Sequence, residues 1–403
     1  MRALHCVEKA YMVWPDSLVF RLIRLMKKLL VILGAGYGGL LTAVKLEQMS
    51  KHLEDVEIVL VDRNDYHQYL HLAYEIVTNV KKVTDITLPL AELLEKRKMR
   101  FFQATVLEID FPKKVVRTDK GDLPYHELVI ALGSEPNYSH IKGAEEHSFC
   151  VSSVEAAAQI RDNLKKLVAQ EKDIQIVIGG GGFTGVELAG EIAEELKCCV
   201  TIIEGSKALL PQWGIPEFSG KAAEVLAEMG AKIIFGKTVV EVKPDAIVLN
   251  DGSQIECSLF VWTGGVQGSQ VTRKSGLKTG KGNRVIVNKF CEAVGFPGVY
   301  VVGDCALVVD SKTGEILPQC IEIALQQAEV VAKNLYADVT ESERTVYVPK
   351  FNGLILAMGE KYGIGEIYGI KLEGRLAQII KKMIHLHYVY QIAGVGEVFK
   401  EAV

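Results

Sequence analysis

Residues Leu29–Leu33 are apolar without a break, which predicts a parallel strand buried on both faces. A glycine-rich turn follows, and Leu40–Met49 then reads as a helix. Val56–Val61 is a second apolar strand, and it ends on Asp62. The same order recurs further on. Ile174–Ile178 reads as a strand, Gly179–Gly182 as a glycine loop, Val186–Leu196 as a helix, and Cys199–Ile203 as a strand ending on Glu204. Two more buried strands close on glycine, Leu128–Ala131 before Gly133 and Val299–Val302 before Gly303-Asp304. Strands alternating with helices predict an α/β fold built on parallel sheets. Near the end, residues 372–388 read as a helix with Leu376, Ile379, Ile380, Met383, Ile384 and His387 along one stripe. Arg375, Lys381 and Lys382 fall on its other faces.

The glycine loops carry the first candidate chemistry. Gly34-Ala-Gly36-Tyr-Gly38-Gly39 is a strand–G-x-G-x-x-G–helix unit. In such a unit the first glycine makes the tight turn and the second lets the backbone approach a pyrophosphate. The third allows close helix–strand packing, and the helix N-terminus offers free N–H groups to phosphate. Asp62 can accept from ribose hydroxyls. Its 28-residue distance from Gly34 exceeds the usual ~20, and the loop around Lys51–Asp55 absorbs the excess. Gly180, Gly182 and Gly185 form a second fingerprint, with Glu204 as its acid. One such loop recurs by chance as an ordinary βα turn. Two copies 146 residues apart, each followed by a strand and an acid, predict two dinucleotide-binding folds. Asp304 suits the ribityl hydroxyls of a flavin, and also suits a plain turn.

Composition narrows the class. The chain has 403 residues, 49% of them hydrophobic and 24% charged, which describes a globular protein with core enough for two or three domains. A net charge of −4 argues against a general nucleic-acid binder. No run of 18 apolar residues is present, so a spanning helix is not expected. The mean hydropathy of +0.17 leaves surface attachment open. The eight cysteines include no C-x-x-C, so no zinc knuckle or redox dithiol is expected. They suit reduced thiols in an intracellular protein, and no metal site is expected. Residues 1–26 lack the apolar run of a secretory signal, although 17–26 suit a short basic helix. Met26 is a natural domain start.

Several stretches resemble the type II NADH:quinone oxidoreductases, within the flavoproteins that bind two dinucleotides. The resemblance runs from about Lys27 to Lys400. It is carried by Asp62-Arg63-Asn-Asp-Tyr-His67, Ala131-Leu-Gly133-Ser-Glu-Pro-Asn137-Tyr138 and Gly143-Ala-Glu-Glu-His147. Gly182-Phe-Thr-Gly-Val-Glu187-Leu-Ala-Gly-Glu191, Val261-Trp262-Thr-Gly-Gly265-Val and Val302-Gly-Asp304-Cys-Ala match as well. Lys371-Leu-x-Gly374-x-Leu-Ala377 with His385-Leu386 resembles the start of the family's membrane-docking tail. One helix departs from the pattern. Where the family usually reads Ala-Gln-x-Ala-x-Gln, this chain has Ile321, Glu322, Ile323, Ala324, Leu325 and Gln326.

The resemblance implies noncovalent FAD, with NADH as the exchanging donor and a membrane quinone as acceptor, without proton pumping. It implies FAD at Gly34, Gly36, Gly39, Asp62 and Asp304, and NADH at Gly180, Gly182, Gly185 and Glu204. Gly38, Arg63, His67, Ala131, Gly133, Gly265 and Ala324 complete the cofactor-binding set. A charge-assisted hydrogen bond from ribose to Glu204 is worth ~1.5–3 kcal/mol, or roughly 10–150-fold in affinity. A 2′-phosphate would meet a like charge there, so NADH is preferred to NADPH, although Lys207 lies close in sequence. Glu187 is expected near the nicotinamide, or else as a helix-start acid. Glu322 and Gln326, four apart, share a helical face and are expected to flank a quinone carbonyl, with Glu322 able to give a proton; a solvated face is the alternative.

The expected organisation is an extension over 1–26, an FAD domain over 27–150 and 276–350, an NADH domain over 151–275 and a membrane-docking segment over 351–403. Five buried apolar side chains of the tail would contribute roughly 7 kcal/mol, which suits peripheral attachment, by resemblance at the cytoplasmic face and as a homodimer. His385 is expected to pack rather than ligate. Two other readings stay open. One is a sulfide:quinone oxidoreductase using cysteines such as Cys150, Cys291 and Cys320. The other is a non-catalytic flavin-binding regulator.

Overall fold

The computed structural model describes residues 27–138, 141–170, 173–196, 198–310 and 313–402. The expected extension, with its short helix over 17–26, lies outside them. The chain forms two compact units.

The first unit comprises residues 27–67, Pro89–Ser134 and Gly268–Lys350. Its centre is a five-stranded sheet in the order Val299–Val301, Glu127–Ile130, Lys28–Leu33, Val56–Asp62, Arg100–Gln103. All four pairings are parallel, as the unbroken apolar runs require. Val31 pairs with Val59 on one side and Leu128 on the other, and all three side chains are fully buried. Helix Tyr37–Ser50 packs against helix Ile321–Thr340. The strand ends therefore gather Gly34, Asp62, Ala131 and Asp304 at the carboxyl edge of one sheet, where doubly wound folds bind their ligands.

The second unit comprises Gln68–Leu88, Glu135–Gln267 and Phe351–Val403. Its four-stranded parallel sheet runs Lys232–Phe235, Cys199–Glu204, Gln175–Gly179, Leu259–Trp262. The fingerprint helix here is Phe183–Leu196. Segment 68–88 was expected with the first domain. It clusters with the second because its short helix Ala73–Val77 buries Tyr74, Ile76 and Val77 and packs on helices Val154–Ala169 and Phe183–Leu196. The tail is more than a helix. It opens with a three-stranded antiparallel sheet, Gly353–Met358, Tyr362–Ile367 and Ile370–Glu373. Helix Gly374–Ala393 follows, with a short helix Val395–Ala402 after it. A Cβ at Gly190 would lie 2.8 Å from the Met358 Cα, so the fingerprint helix seats directly on this sheet.

Candidate functional site: two glycine cradles and a buried Glu–Lys pair

Both glycine loops turn on a residue in the left-handed region, Gly34 at φ +99° and Gly180 at φ +120°, where a side chain would be strained. A Cβ at Gly39 would collide with the Gly34 carbonyl oxygen, and one at Gly185 with the Gly180 carbonyl oxygen. The third glycine thus lets each helix start close against its strand. The middle glycine behaves differently. A Cβ at Gly36 would meet nothing within 4 Å, and one at Gly182 would meet only the Gln212 side chain, at 3.5 Å. Each cradle is therefore open on the side a pyrophosphate needs, and neither helix has an acid in its first turn to repel it.

The two acids do the same work in both units. The Ala35 N–H donates to Asp62 Oδ2 at 2.6 Å, and the Asn64 N–H to Oδ1 at 2.9 Å. The Gly181 N–H donates to Glu204 Oε2 at 2.7 Å, and the Ser206 N–H to Oε1 at 2.7 Å. These bonds lock each carboxylate beside its loop and leave further lone pairs for ribose hydroxyls. Burial pushes the Asp62 carboxyl up, against the lowering effect of its backbone donors and Arg63.

Around the first cradle, buried His67 places Nδ1 2.8 Å from the Ala35 carbonyl oxygen. A carbonyl only accepts, so this nitrogen carries the proton. The Tyr37 ring meets His67 edge-on. Ala131 is the residue that Cβ atoms at Gly34 and Gly39 would strike. Gly38 lies under Val302 and the Ala324 carbonyl, Gly303 lies next to Ala324, and Gly133 faces open space. Asp304 Oδ2 accepts from the Ser134 hydroxyl at 2.9 Å. Burial raises its carboxyl, while the Ser134 bond and the Arg284 charge lower it. An open cradle, two carboxylates and a helix start suit the pyrophosphate, ribose and ribityl parts of FAD. The second loop, with exposed Gly265 beyond it, suits NADH. Arg63 is exposed, and its charge and its backbone N–H both lower the Asp62 carboxyl.

One expected pairing changes. Gln326 is bound to the chain itself: its Nε2 donates to the Lys350 carbonyl at 2.5 Å and its Oε1 accepts the Lys350 N–H at 3.0 Å. Both ends of the amide are taken, so Gln326 does not join Glu322 in flanking a quinone carbonyl. The inward amide is its neighbour Gln327, buried, whose Oε1 accepts the Gly303 N–H at 2.6 Å. Glu322 stays half-buried in the first turn of the helix.

Sequence reasoning missed most of what surrounds Glu187. Its Oε1 accepts from Lys381 Nζ at 2.5 Å and from the Ala357 N–H at 3.2 Å. Lys381 also donates to the Tyr74 hydroxyl at 3.0 Å and lies over that ring. Both charged side chains are about 15% exposed, Lys381 at 15% and Glu187 at 14%. Burial disfavours the Lys381 charge, yet Glu187 and Tyr74 hold the ammonium above its usual range. Burial also pushes the Tyr74 phenol up. The sequence places Lys381 off the apolar stripe without saying what that face meets. It faces inward because the buried side of its helix is Ala377, Tyr388, Val389 and Ile392, one face with position 381. That second stripe was the available signal. The apolar stripe is instead the exposed side: Leu376, Ile379, Met383 and Ile384 are 49–62% exposed. His385 packs edge-on against Tyr69, 3.6 Å from Glu401.

Among the described residues all seven cysteines are free thiols, no group of acids, histidines and cysteines could hold a metal, and no helix is long and apolar enough to cross a membrane.

Comparison with known proteins agrees with this arrangement. The pyridine nucleotide-disulphide oxidoreductase family matches residues 28–333. The type II NADH:quinone oxidoreductase of Staphylococcus aureus is 30% identical over 402 residues, 93% of this chain and 98% of the relative. That of Staphylococcus saprophyticus is 29% identical over 403 residues, with the same coverage. The structure of NDH2 from Plasmodium falciparum in complex with NADH superposes with a TM-score of 0.81 at 16% identity, covering 93% of this chain and 97% of that one. The sulfide:quinone oxidoreductase of Aquifex aeolicus shares the fold, with a TM-score of 0.77 at 22% identity over 91% of each chain. With two dinucleotide cradles in the expected order and relatives matched over nearly their whole length, this chain belongs to the pyridine nucleotide-disulphide oxidoreductases and, within them, to the type II NADH:quinone oxidoreductase family.

Proposed function

We propose that this chain oxidises NADH with noncovalent FAD and reduces a membrane quinone, without moving protons across the membrane. The observation that carries the reading is the duplicated cradle, glycine loop plus backbone-locked carboxylate, present once in each unit. When bound, FAD supplies the two-electron chemistry that no side chain can supply. In this reading Gly34, Gly36, Gly38 and Gly39 admit its pyrophosphate, Asp62 its ribose and Asp304 its ribityl chain, with His67, Ala131, Gly133 and Ala324 shaping the walls. Gly180, Gly182, Gly185 and Gly265 admit NADH. Glu204, 8% exposed, accepts from the adenosine ribose and repels a 2′-phosphate.

Lys381 is the proton donor to the quinone oxygen as negative charge develops there. A buried ammonium held by Glu187 and Tyr74 is oriented in advance and costs no reorganisation when that charge appears. Glu187 fixes the ammonium's position and stabilises it until the proton leaves. Glu322, half-buried in the first turn of its helix, stands where the family pattern has an amide and is expected to bear on the choice of acceptor. The exposed stripe Leu376, Ile379, Met383 and Ile384, with Tyr390, Val395 and Phe399 beyond it, is proposed to lie in the lipid interface. The cytoplasmic face and a homodimer rest on the resemblance.

Cysteine chemistry is not favoured. Burial pushes the Cys291 thiol up to about 12 and the Cys320 thiol up to about 11, so little nucleophilic thiolate is present. The test is anaerobic mixing of the yellow holoprotein with NADH, NADPH or sulfide, followed by a quinone. Bleaching by NADH and recovery with quinone are expected. Bleaching by sulfide alone, or bound flavin that no donor reduces, overturns the reading.

A further inference from the structure

An arginine cannot shed its charge inside a protein, so a buried one calls for an anion. Arg284 is 6% exposed. Its Nη1 donates to the Leu317 carbonyl at 3.1 Å, which uses one of the several N–H donors a guanidinium carries. A carbonyl supplies no net charge. Among the described residues no carboxylate forms an ion pair with Arg284, and the charge that reaches it is that of Asp304.

The backbone sets these two residues side by side. Val285 pairs with Ala306 and Ile286 with Leu307 in parallel register, so Arg284 stands level with Cys305, the residue after Asp304. The same loop ties down both. Leu317 receives the Arg284 guanidinium, and the Gln319 Nε2 donates to the Asp304 carbonyl at 3.0 Å. All of these residues belong to the first unit.

Among the described residues no other group balances either charge. Asp304 is half-buried, and burial raises its carboxyl against the Ser134 bond and the Arg284 charge. The Ser134 hydroxyl donates but is neutral. The Cys305 and Cys320 thiols also feel the Asp304 charge. Burial, with that charge adding to it, pushes them up to about 12 and about 11, so both are neutral at physiological pH. Glu322 acts on Cys320 but not on Asp304. A proton on Asp304 would leave the guanidinium as an uncompensated buried charge, the costly way to break a buried pair. Arginine cation and aspartate anion therefore hold each other in their charged forms.

We propose that Arg284 is the buried counter-charge that keeps Asp304 a carboxylate, and is thereby a positioning residue for the ribityl chain of FAD. The inference rests on the FAD site proposed above. A carboxylate accepts a ribityl hydroxyl through a charge-assisted bond, which is stronger than the bond a neutral acid offers. Arg284 acts through Asp304.

The test dilutes holoprotein at pH values from ~6 to ~9 and follows the fluorescence of released FAD. Wild type is expected to hold FAD equally across this range. Arg284→Met is expected to hold it about 5- to 10-fold less tightly at the lower end, the difference between a charged and a neutral acceptor. The loss narrows as pH rises, because Asp304 then ionises without its partner. Arg284→Lys returns both the affinity and the flat profile. A role confined to the Leu317 carbonyl would give the same loss at every pH. In Asp304→Asn, adding Arg284→Met costs no further FAD affinity and raises the melting temperature, since the unpaired cation is gone. Infrared spectra at neutral pH show Arg284→Met gaining acid C=O absorbance that Asp304→Asn in the same chain removes. A loss independent of pH, a further loss of FAD when Arg284→Met is added to Asp304→Asn, or no gain of acid C=O absorbance overturns the proposal. Should Arg284→Met fail to fold, a double variant no more stable than Asp304→Asn overturns it. Should wild type bind no FAD, the reading of the site fails, while the infrared absorbance still decides whether Arg284 holds the charge of Asp304.

Discussion

Glu191 is 1% exposed and accepts from the Thr78 hydroxyl at 3.0 Å, and burial raises its carboxyl to about 8, which has a consequence for stability. An acid whose folded value is raised binds protons more tightly when folded, so folding draws support from it at low pH and loses that support as pH rises. The relevant window runs from the ordinary 4.5 to about 8. At ~1.4 kcal/mol per unit the full rise is worth about 5 kcal/mol as a ceiling. Glu191→Gln keeps the shape and the contact with Thr78 but cannot ionise. The unfolding free energy of wild type minus that of the variant should thus fall steadily between pH ~5 and ~8 by several kcal/mol, then level off. Glu75, also raised by burial, titrates with the same sign but is present in both proteins and largely cancels. Urea unfolding followed by tryptophan fluorescence suits the measurement, because both described tryptophans, Trp213 and Trp262, lie in the second unit with Glu191. A difference that is flat across this range, or that grows with pH, would mean that Glu191 is ionised in the folded protein, and the reasoning from burial would be refuted.

Three further outcomes are expected. Gly185→Val puts a side chain onto the Gly180 carbonyl and Thr263 Oγ1; the protein should purify yellow, with flavin absorbance normal and bleaching by NADH lost. Lys381→Met removes the ammonium beside Glu187. Single-turnover mixing should show hydride transfer retained and quinone reduction slowed by about 10²–10⁴-fold. Ile379→Glu with Met383→Glu takes two side chains, 58% and 62% exposed, off the apolar face. At ~1.5 kcal/mol each, vesicle flotation should show binding weakened by more than ~100-fold, with activity toward a soluble quinone unchanged.

Much of the site was legible because it is local. A glycine loop, the helix after it and the acid ending the next strand are separated by fewer than 30 residues, and backbone sterics dictate glycine at the turn and at the helix contact. Asp62 and Glu204 could be placed because each ends the strand after its glycine loop, and each accepts the N–H between its first two fingerprint glycines. The apolar runs fixed which strands are parallel and buried, since both faces of each must be covered.

What the sequence could not decide depended on side chains meeting from far apart. Lys381 and Glu187 are 194 positions apart, and Glu191 and Thr78 are 113 apart. A helix with two plausible faces does not say which one the fold covers. The tail's most apolar stripe is the one left exposed, and Lys381 lies on the other because Glu187 and Tyr74 provide a buried partner for its charge. Gln326 and Gln327 are adjacent amides, and only the packing of their helix sent one to Lys350 and the other to Gly303. Periodicity and turn chemistry act within a few residues and are written in the chain. Desolvation and ion pairing act through space, and only the tertiary structure determined where they fall.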